Sequence, residues 1–197
     1  MKIGVFGGTF DPVHLGHLVL AEHAREQLSL HRVLWIPAGD PWRKSGKVIS
    51  EARHRVEMVR QAIAGNARFE LRQDEVERSG SSYTVDTLKE IHEAHPAWEL
   101  FLLVGEDALA DMPTWRDLAG IVELATLAVV GRAAQPAGGS LERLAPGAIV
   151  RTVRVDMPEI GISSTDIRGR VAARRSIRYL VPNEVETYIK TEALYES

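Results

Sequence analysis

The sequence predicts an α/β domain in which helices cover both faces of a doubly wound, mostly parallel sheet. Short apolar runs of strand length alternate along the chain with segments of helical periodicity. The first run, at residues 3–6, ends abruptly in two glycines, as a strand buried in a parallel sheet does before a tight turn. The chain has 197 residues, 45% of them hydrophobic, so we expect one core and a single domain over residues 1–197.

Further apolar runs and periodic segments predict the other elements in order. We expect strands at 32–37, 99–104, 126–130 and 148–155, and an extended stretch at 68–76. Helices are expected at 15–28, after a capping Ser50, at 84–95 and from 162 to about 173. Two more helices have capping-box spacing, one at Thr114 and Asp117 and one at Asn183 and Glu186. The C-terminal helical part, about 162–197, is expected to pack on the sheet.

Composition narrows the classes of protein that the chain can belong to. A formal net charge of −3 argues against a nucleic-acid binder, which normally carries a basic surplus. No apolar stretch is long enough for a transmembrane helix and no signal-peptide pattern opens the chain, so we expect a cytoplasmic protein without a membrane partner. Zero cysteines exclude a disulfide framework and a thiol nucleophile. The oligomeric state stays open, and a homo-oligomer is compatible with the sequence.

The stretch at 2–17 reads K-I-G-V-F-G-G-T-F-D-P-V-H-L-G-H. A strand, a glycine turn and a helix N-terminus in this order expose backbone N–H groups to an anion. His14 and His17 are three residues apart, which places both imidazoles on one side of a helix, above Gly7 and Gly8. Two alternatives are a metal-binding His-x-x-His pair, which lacks an obvious third ligand, and a βα turn with solvated histidines.

A second string, I-S-S-T-D-I-R at 162–168, predicts a capped helix near an anion. Ser163, Ser164 or Thr165 can cap the helix, and Arg168 lies one turn further on, within reach of the same anion. The alternative is a capped surface helix with a solvated arginine.

The two strings, at 7–17 and 163–168, resemble the motifs of a known protein family. G-G-T-F-D-P-V-H-L-G-H resembles the first motif of the HxGH nucleotidyltransferase superfamily, and S-S-T-D-I-R resembles its second motif. The S-Y-T at 82–84 and the tryptophan in T-W-R-D-L resemble elements of bacterial nicotinate-mononucleotide adenylyltransferases. The resemblance covers nearly the whole chain and implies a Rossmann-like nucleotidyltransferase fold. It also implies transfer of the adenylyl group of ATP to the 5′-phosphate of nicotinate mononucleotide, with pyrophosphate released.

The resemblance also implies roles for individual residues. The catalytic residues would be His14, His17, Lys44 and Arg168. ATP would be bound by Gly7, Gly8, Thr9, Phe10, His17, Gly105, Asp107, Ile162, Ser163, Ser164, Thr165 and Arg168. Nicotinate mononucleotide would be bound by Tyr83, Thr84, Trp115, Arg116 and Arg132. Plainer alternatives are a solvated Lys44, a Trp115 that only packs in the core and an Asp107 that only caps a helix.

One loop departs from the pattern of the resembled family. That family has His-Lys in the loop after the second strand, whereas this chain reads D-P-W-R-K. Lys44 matches the lysine, but Trp42 or Arg43 stands where the histidine is expected, which leaves their role open.

The expected chemistry needs neither a Ser-His-Asp order nor a Walker lysine, and neither is found. The nucleophile is the phosphate of the acceptor, which is already mostly dianionic near pH 7. Mg²⁺ is expected to arrive with ATP and to be held mainly by phosphates and water rather than by a protein metal site. Two alternative functions remain: another adenylyl- or cytidylyltransferase of the superfamily, such as a pantetheine-phosphate adenylyltransferase, and a non-catalytic nucleotide sensor. The S-Y-T element and Trp115 disfavour the former, and the intact catalytic set disfavours the latter.

Overall fold

The computed structural model describes residues 1–40, 49–131 and 150–196. Its elements, in chain order, are β1 (Lys2–Gly8), α1 (Leu15–Gln27), β2 (Arg32–Pro37), α2 (Ala52–Ile63), β3 (Phe69–Leu71), α3 (Asp74–Glu77), α4 (Thr84–Ala94), β4 (Glu99–Gly105), α5 (Glu106–Asp111), a 3₁₀ turn (Met112–Thr114), α6 (Leu118–Leu124), β5 (Ala125–Gly131), β6 (Thr152–Asp156), α7 (Ser164–Ala172) and α8 (Asn183–Thr191).

The strands form one six-stranded sheet in the order β3-β2-β1-β4-β5-β6, and every neighbouring pair is parallel. The order reverses at β1, which lies between β2 and β4. This is the doubly wound arrangement that the alternating sequence predicts, so the predicted fold class is confirmed. In such sheets a ligand binds outside the carboxyl ends of the strands where the order reverses. Here those ends are Gly8, Pro37 and Gly105.

Each face of the sheet carries its own hydrophobic cluster. Along β2, Val33 and Trp35 point into one cluster, and Leu34 and Ile36 point into the other. Residues of α1, α2, α7 and α8 cover the first face, and residues of α4 and α6 cover the second. Burial on both faces explains why the strands read as continuous apolar runs rather than as alternating ones. No helix within the described ranges is long and apolar enough to cross a membrane.

The predicted cap of α2 is wrong. Its N-cap residue is Glu51, which makes no side-chain capping hydrogen bond. Ser50 is held by tertiary contacts instead: its N–H donates to Asp11 Oδ2 at 3.4 Å, and its carbonyl accepts from Arg55 Nε at 3.0 Å. A local capping preference of about 1 kcal/mol was overridden by contacts with distant residues.

The capping box predicted at Thr114 and Asp117 is also wrong. Thr114 ends the 3₁₀ turn, and its hydroxyl donates to the carbonyl of Asp111. Asp117 caps α6 by itself, because its side chain accepts from the N–H of Gly120 while its backbone adopts a left-handed φ of 51°. An aspartate tolerates that conformation better than most residues.

Two further predictions need correction. The extended stretch at 68–76 is a strand only over Phe69–Leu71, and α3 begins at Asp74. The last helix has no capping box: its N-cap is Pro182, and Asn183 is already the first helical residue. Glu186 accepts from Lys190 one turn later instead of turning back to the cap.

Candidate active site

A cleft of about 620 Å³ opens at the carboxyl ends of β1, β2 and β4, where the strand order reverses. Its walls include Gly7, Gly8, Thr9, His17, Glu75, Ser82, Tyr83, Thr84, Gly105, Trp115 and Arg116. The cleft therefore brings together residues that the sequence predicted for ATP and residues predicted for the mononucleotide.

The glycine turn is shaped by the aromatic ring that follows it. A Cβ at Gly8 would lie 2.9 Å from the ring of Phe10, so only glycine fits there. Phe10 has a left-handed φ of 50°, and its ring packs edge-on against Phe6 with the centroids 5.4 Å apart. Because the Phe10 side chain is only 2% exposed, it belongs to the core. A nucleotide at this turn would meet the backbone of Phe10 rather than its ring.

The two histidines lie together, as their spacing predicts. The rings of His14 and His17 stack with their centroids 3.6 Å apart. The backbone N–H of His14 donates to Nδ1 of His17 at 3.1 Å. Since Nδ1 accepts, a neutral His17 carries its proton on Nε2 and can donate from that atom. His17 itself lines the cleft in which a phosphate would lie.

His14 is buried at the N-cap of α1, with 7% of its surface exposed. Burial lowers its pKa from 6.5 to about 4, because the charged imidazolium would lose its hydration. The ring is therefore neutral near pH 7.

The second predicted motif packs directly on the first. Ser163 caps α7 by accepting from the N–H of Asp166 at 3.1 Å. The hydroxyl of Ser164 donates to the carbonyl of Pro12 at 2.9 Å, and Arg168 donates to the carbonyl of Asp11 at 2.7 Å. Two strings about 150 residues apart in the chain are thus joined by hydrogen bonds.

The remaining residues of the second motif differ in exposure. Thr165 is exposed and accepts weakly from Arg168 at 3.4 Å, whereas Ile162 is half-buried against the first hydrophobic cluster. Neither is part of the described wall of the cleft.

At the other end of the cleft lie the residues predicted for the mononucleotide. Tyr83 is the N-cap of α4, and its side chain makes no capping hydrogen bond to that helix. The guanidinium carbon of Arg116 lies 4.7 Å from the centre of the Tyr83 ring, and Arg116 also pairs with Asp86 at 3.5 Å. Trp115 is half-buried on the second hydrophobic cluster, and its Nε1 has no hydrogen-bond partner among the described residues. A helix N-terminus, a cation and an aromatic ring therefore converge here.

Three predicted site residues, Lys44, Asp107 and Arg132, have side chains outside the described part of the structure. Lys44 and Arg132 lie outside the described residues, as do Trp42 and Arg43. Asp107 is in α5, immediately after Gly105, but its side chain is not described.

Sequence reasoning missed several buried polar residues that frame the site. Arg55 is 1% exposed, and it donates to the carbonyls of Thr9, Gly39 and Ser50, each at 3.0 Å. It therefore ties the glycine turn to the loop that leaves β2. Burial is the main influence on this guanidinium and lowers its pKa. The available signal was weak: an arginine that shares the buried part of α2 with its apolar neighbours.

Glu75 is the second missed residue, and it lines the cleft while only 7% exposed. The hydroxyl of Thr87 donates to its Oε1 at 2.7 Å, and Ser82 also hydrogen-bonds it. Burial nevertheless raises the pKa of the Glu75 carboxyl. The backbone of α3 also approaches that of Gly39 so closely that a Cβ on Gly39 would lie 2.0 Å from the carbonyl oxygen of Glu75. Glu75 thus joins α3, α4 and the exit of β2.

Within the described ranges, no group of three or more histidine, aspartate or glutamate side chains could hold a metal ion. The stacked histidines therefore have no such third ligand among the described residues.

The molecule is a nucleotide-binding α/β domain, because its cleft lies where the strand order of a doubly wound sheet reverses and is lined there by a glycine turn and a histidine. The cytidylyltransferase-like family model matches residues 5–170. A "probable nicotinate-nucleotide adenylyltransferase" of Corynebacterium kroppenstedtii is 45% identical over 98% of this chain and 90% of its own length. One from Thermus thermophilus is 45% identical over 99% of this chain and 100% of its own. The chain belongs to the cytidylyltransferase-like family and, within it, to the nicotinate-nucleotide adenylyltransferases, which are nucleotidyltransferase enzymes.

Solved structures agree on the fold. A Plasmodium falciparum nicotinic acid mononucleotide adenylyltransferase complexed with NaAD has a TM-score of 0.81 at 20% identity, covering 99% of this chain and 97% of that one. The same protein complexed with APC has a TM-score of 0.77 at 19% identity, covering 99% and 97%.

Proposed function

We propose that the protein transfers the adenylyl group of ATP to the 5′-phosphate of nicotinate mononucleotide, giving nicotinate adenine dinucleotide and pyrophosphate as a step of NAD biosynthesis. The observation that carries the proposal is a single cleft with the histidine motif at one end and the N-terminus of α4, with Trp115, at the other. The first end suits a phosphate chain, and the second suits a flat ring that bears a carboxylate.

The reaction needs positioning and charge stabilisation rather than a general base. A phosphate oxygen of the mononucleotide attacks the α-phosphorus of ATP in line, a new P–O bond forms, and the bond to the leaving pyrophosphate breaks. The nucleophile is already dianionic near pH 7, so no proton has to be removed from it. Holding two bound reactants in line can itself supply a large part of the rate enhancement.

The chain's own residues supply donors to the charge that builds up on the phosphates. The Nε2–H of His17 is a neutral donor on the cleft wall, and the glycines at 7 and 8 let a phosphate approach the backbone. Arg168, tied to the turn at Asp11, and Lys44 would contribute positive charge. Mg²⁺ enters as part of the ATP substrate, coordinated mainly by phosphates and water, and neutralises charge on the triphosphate.

The acceptor is favoured by the electrostatics at α4. The positive end of an 11-residue helix faces the cleft at Thr84, and N–H groups at such an end prefer a carboxylate to a neutral amide. Arg116 adds a cation at the same end. An ionised Glu75 would oppose a second carboxylate there, but burial raises its pKa and so disfavours the ionised form.

The test is pyrophosphate release with ATP, Mg²⁺ and one acceptor at a time: nicotinate mononucleotide, nicotinamide mononucleotide or phosphopantetheine. We expect kcat/KM for nicotinate mononucleotide to exceed that for the amide by at least about tenfold, a difference of about 1.4 kcal/mol. His17→Ala should lower kcat by roughly 10²-fold, because one preorganised donor is lost. His92→Ala, a change of an exposed histidine on α4, is the matched control and should keep the parent rate. Equal use of both mononucleotides would refute the carboxylate argument, and preferred use of phosphopantetheine would reassign the acceptor.

A further inference from the structure

Asp11 is a buried carboxylate in the middle of the histidine motif, and it does not line the cleft. It is 2% exposed and is absent from the described cleft wall. Both of its oxygens are engaged within the protein: Oδ1 accepts from the hydroxyl of Tyr195 at 2.7 Å, and Oδ2 accepts from the N–H of Ser50 at 3.4 Å. Its carboxylate therefore holds the turn in place instead of meeting a substrate.

The partner, Tyr195, comes from a segment that follows α8 and is 184 residues away in sequence. Its ring packs on the first hydrophobic cluster, and Ser50 also hydrogen-bonds its hydroxyl. Burial and the neighbouring Asp11 carboxylate raise the pKa of this phenol, so that it stays protonated and can donate.

The backbone of this segment includes two residues with a positive φ. Tyr195 has a φ of 66° and Ala193 has a φ of 49°, both in the left-handed region that non-glycine residues rarely adopt. For a residue as bulky as tyrosine, such a conformation is strained and persists only where surrounding contacts hold it. The contacts that hold Tyr195 include the hydrogen bond to Asp11 and the packing of its ring on the first hydrophobic cluster.

The main chain of the same turn sets the position of the second motif. The carbonyl of Asp11 accepts from Arg168 at 2.7 Å, and the next carbonyl, that of Pro12, accepts from Ser164. A shift of the Asp11 side chain would therefore be passed, through its own carbonyl, to the guanidinium that is proposed to stabilise the triphosphate.

We infer that Tyr195 is a positioning residue for the reaction: its hydroxyl, by donating to Asp11, holds the histidine turn and Arg168 in the geometry that binds the triphosphate of ATP. It touches neither substrate. The inference rests on the proposed function, because it assigns Arg168 to the triphosphate. It predicts an effect at the ATP end of the cleft and none at the ring-binding end.

The experiment compares two single-atom deletions. Tyr195→Phe removes only the hydroxyl that bonds Asp11. Tyr188→Phe is the matched control, because its hydroxyl bonds Nδ1 of His54 on α2 at 2.9 Å, and His54 belongs to neither motif. We expect Tyr195→Phe to lower kcat/KM for ATP about tenfold and to leave KM for nicotinate mononucleotide unchanged. Tyr188→Phe should keep the parent values for both substrates, even where both variants lose a similar few degrees of Tm.

A second background tests whether the hydroxyl acts through Asp11. In an Asp11→Ala protein the hydroxyl has lost its acceptor, so adding Tyr195→Phe should not lower kcat/KM for ATP any further. Parent-like ATP kinetics in Tyr195→Phe, an equal loss in Tyr188→Phe, or independent losses that multiply in the double variant would each overturn the inference.

A binding measurement separates this inference from the proposed function. Calorimetry with Mg²⁺ and α,β-methylene-ATP needs no acceptor, and we expect Tyr195→Phe to bind this analogue about tenfold more weakly than the parent does. If Tyr195→Phe binds the analogue more weakly but the parent releases no pyrophosphate with nicotinate mononucleotide, the role of Tyr195 is supported and the proposed acceptor is contradicted. If the parent is active and Tyr195→Phe binds the analogue as the parent does, the acceptor is supported and the role of Tyr195 is contradicted.

Discussion

The buried His14 should make the free energy of unfolding depend on pH in a defined window. Its pKa is 6.5 in an exposed setting and about 4 in the folded protein, because burial disfavours the charged ring. Between these two values the unfolded chain binds a proton at His14 that the folded chain does not bind. Stability therefore rises with pH across this window and is fully present above about pH 6.5.

The magnitude follows from the same two values. At about 1.4 kcal/mol for each pH unit, the difference between 6.5 and about 4 corresponds to about 3 kcal/mol. This stability is lost progressively as the pH falls from 6.5, and the loss is complete below about pH 4. This contribution of His14 is a large fraction of the roughly 5–15 kcal/mol that typically separates folded from unfolded domains.

The assay is urea unfolding of the parent and of His14→Asn at pH 7.5, 6.5, 5.5 and 4.5. Asparagine is a good N-cap residue and does not titrate, so it suits the N-cap position of α1 that His14 occupies. We expect the parent to lose roughly 2–3 kcal/mol more than His14→Asn over this series. His31→Asn, which changes an exposed histidine, is the control and should follow the parent. Parallel curves for the parent and His14→Asn would refute a strongly lowered pKa at His14.

Three further predictions follow from the cleft and its frame. Trp115→Ala should raise KM for both mononucleotides about tenfold and leave KM for ATP unchanged, since ring stacking does not distinguish nicotinate from nicotinamide. Trp98→Ala is the control: its ring stacks on His95, and its loss should alter neither value. Arg55→Lys should lower the free energy of unfolding by about 2–3 kcal/mol in urea titrations, because an ammonium cannot replace a guanidinium that donates to three carbonyls. Arg53→Lys, on the exposed side of α2, is the control and should have no effect. Because burial raises the pKa of Glu75, the parent should lose stability as the pH rises from 4.5 through that raised pKa, and Glu75→Gln should remove this loss. A parent whose free energy of unfolding does not decline in that range relative to Glu75→Gln would contradict the raised pKa.

The fold could be predicted because its signals are local. Each central strand is covered on both faces, so it appears as an apolar run, and β2, β4 and β5 were found within a residue or two of their observed bounds. The short edge strand β3 was not, since Arg72 pairs with Asp74 at 2.7 Å and the chain enters α3 where an extended stretch was expected. Edge strands bury less and so leave a weaker pattern in the sequence.

Helix starts were predicted less well because capping side chains have competing partners. Ser163, one of the three capping candidates, caps α7 by accepting from the N–H of Asp166. Ser50 has the same capping chemistry, but it lies beside Arg55 and Asp11, and both take its backbone groups. Capping is worth about 1 kcal/mol, so a few buried hydrogen bonds decide the outcome.

Some residues of the cleft and its surroundings could be predicted from the sequence, and others could not. His17 and the glycines before it were found because a phosphate site needs a strand, a turn and a helix in immediate succession, which gives a contiguous string. Arg55, Glu75 and Tyr195 hydrogen-bond with groups 5 to 184 residues away, so no regular spacing in the sequence indicates them. Buried ionisable groups of this kind are costly unless they are paired or hydrogen-bonded. Arg55 and Tyr195 both reach the turn at residues 9–11, through the carbonyl of Thr9 and the side chain of Asp11. Their placement argues that the turn itself, and not only the residues that meet substrate, is held in place by the rest of the chain.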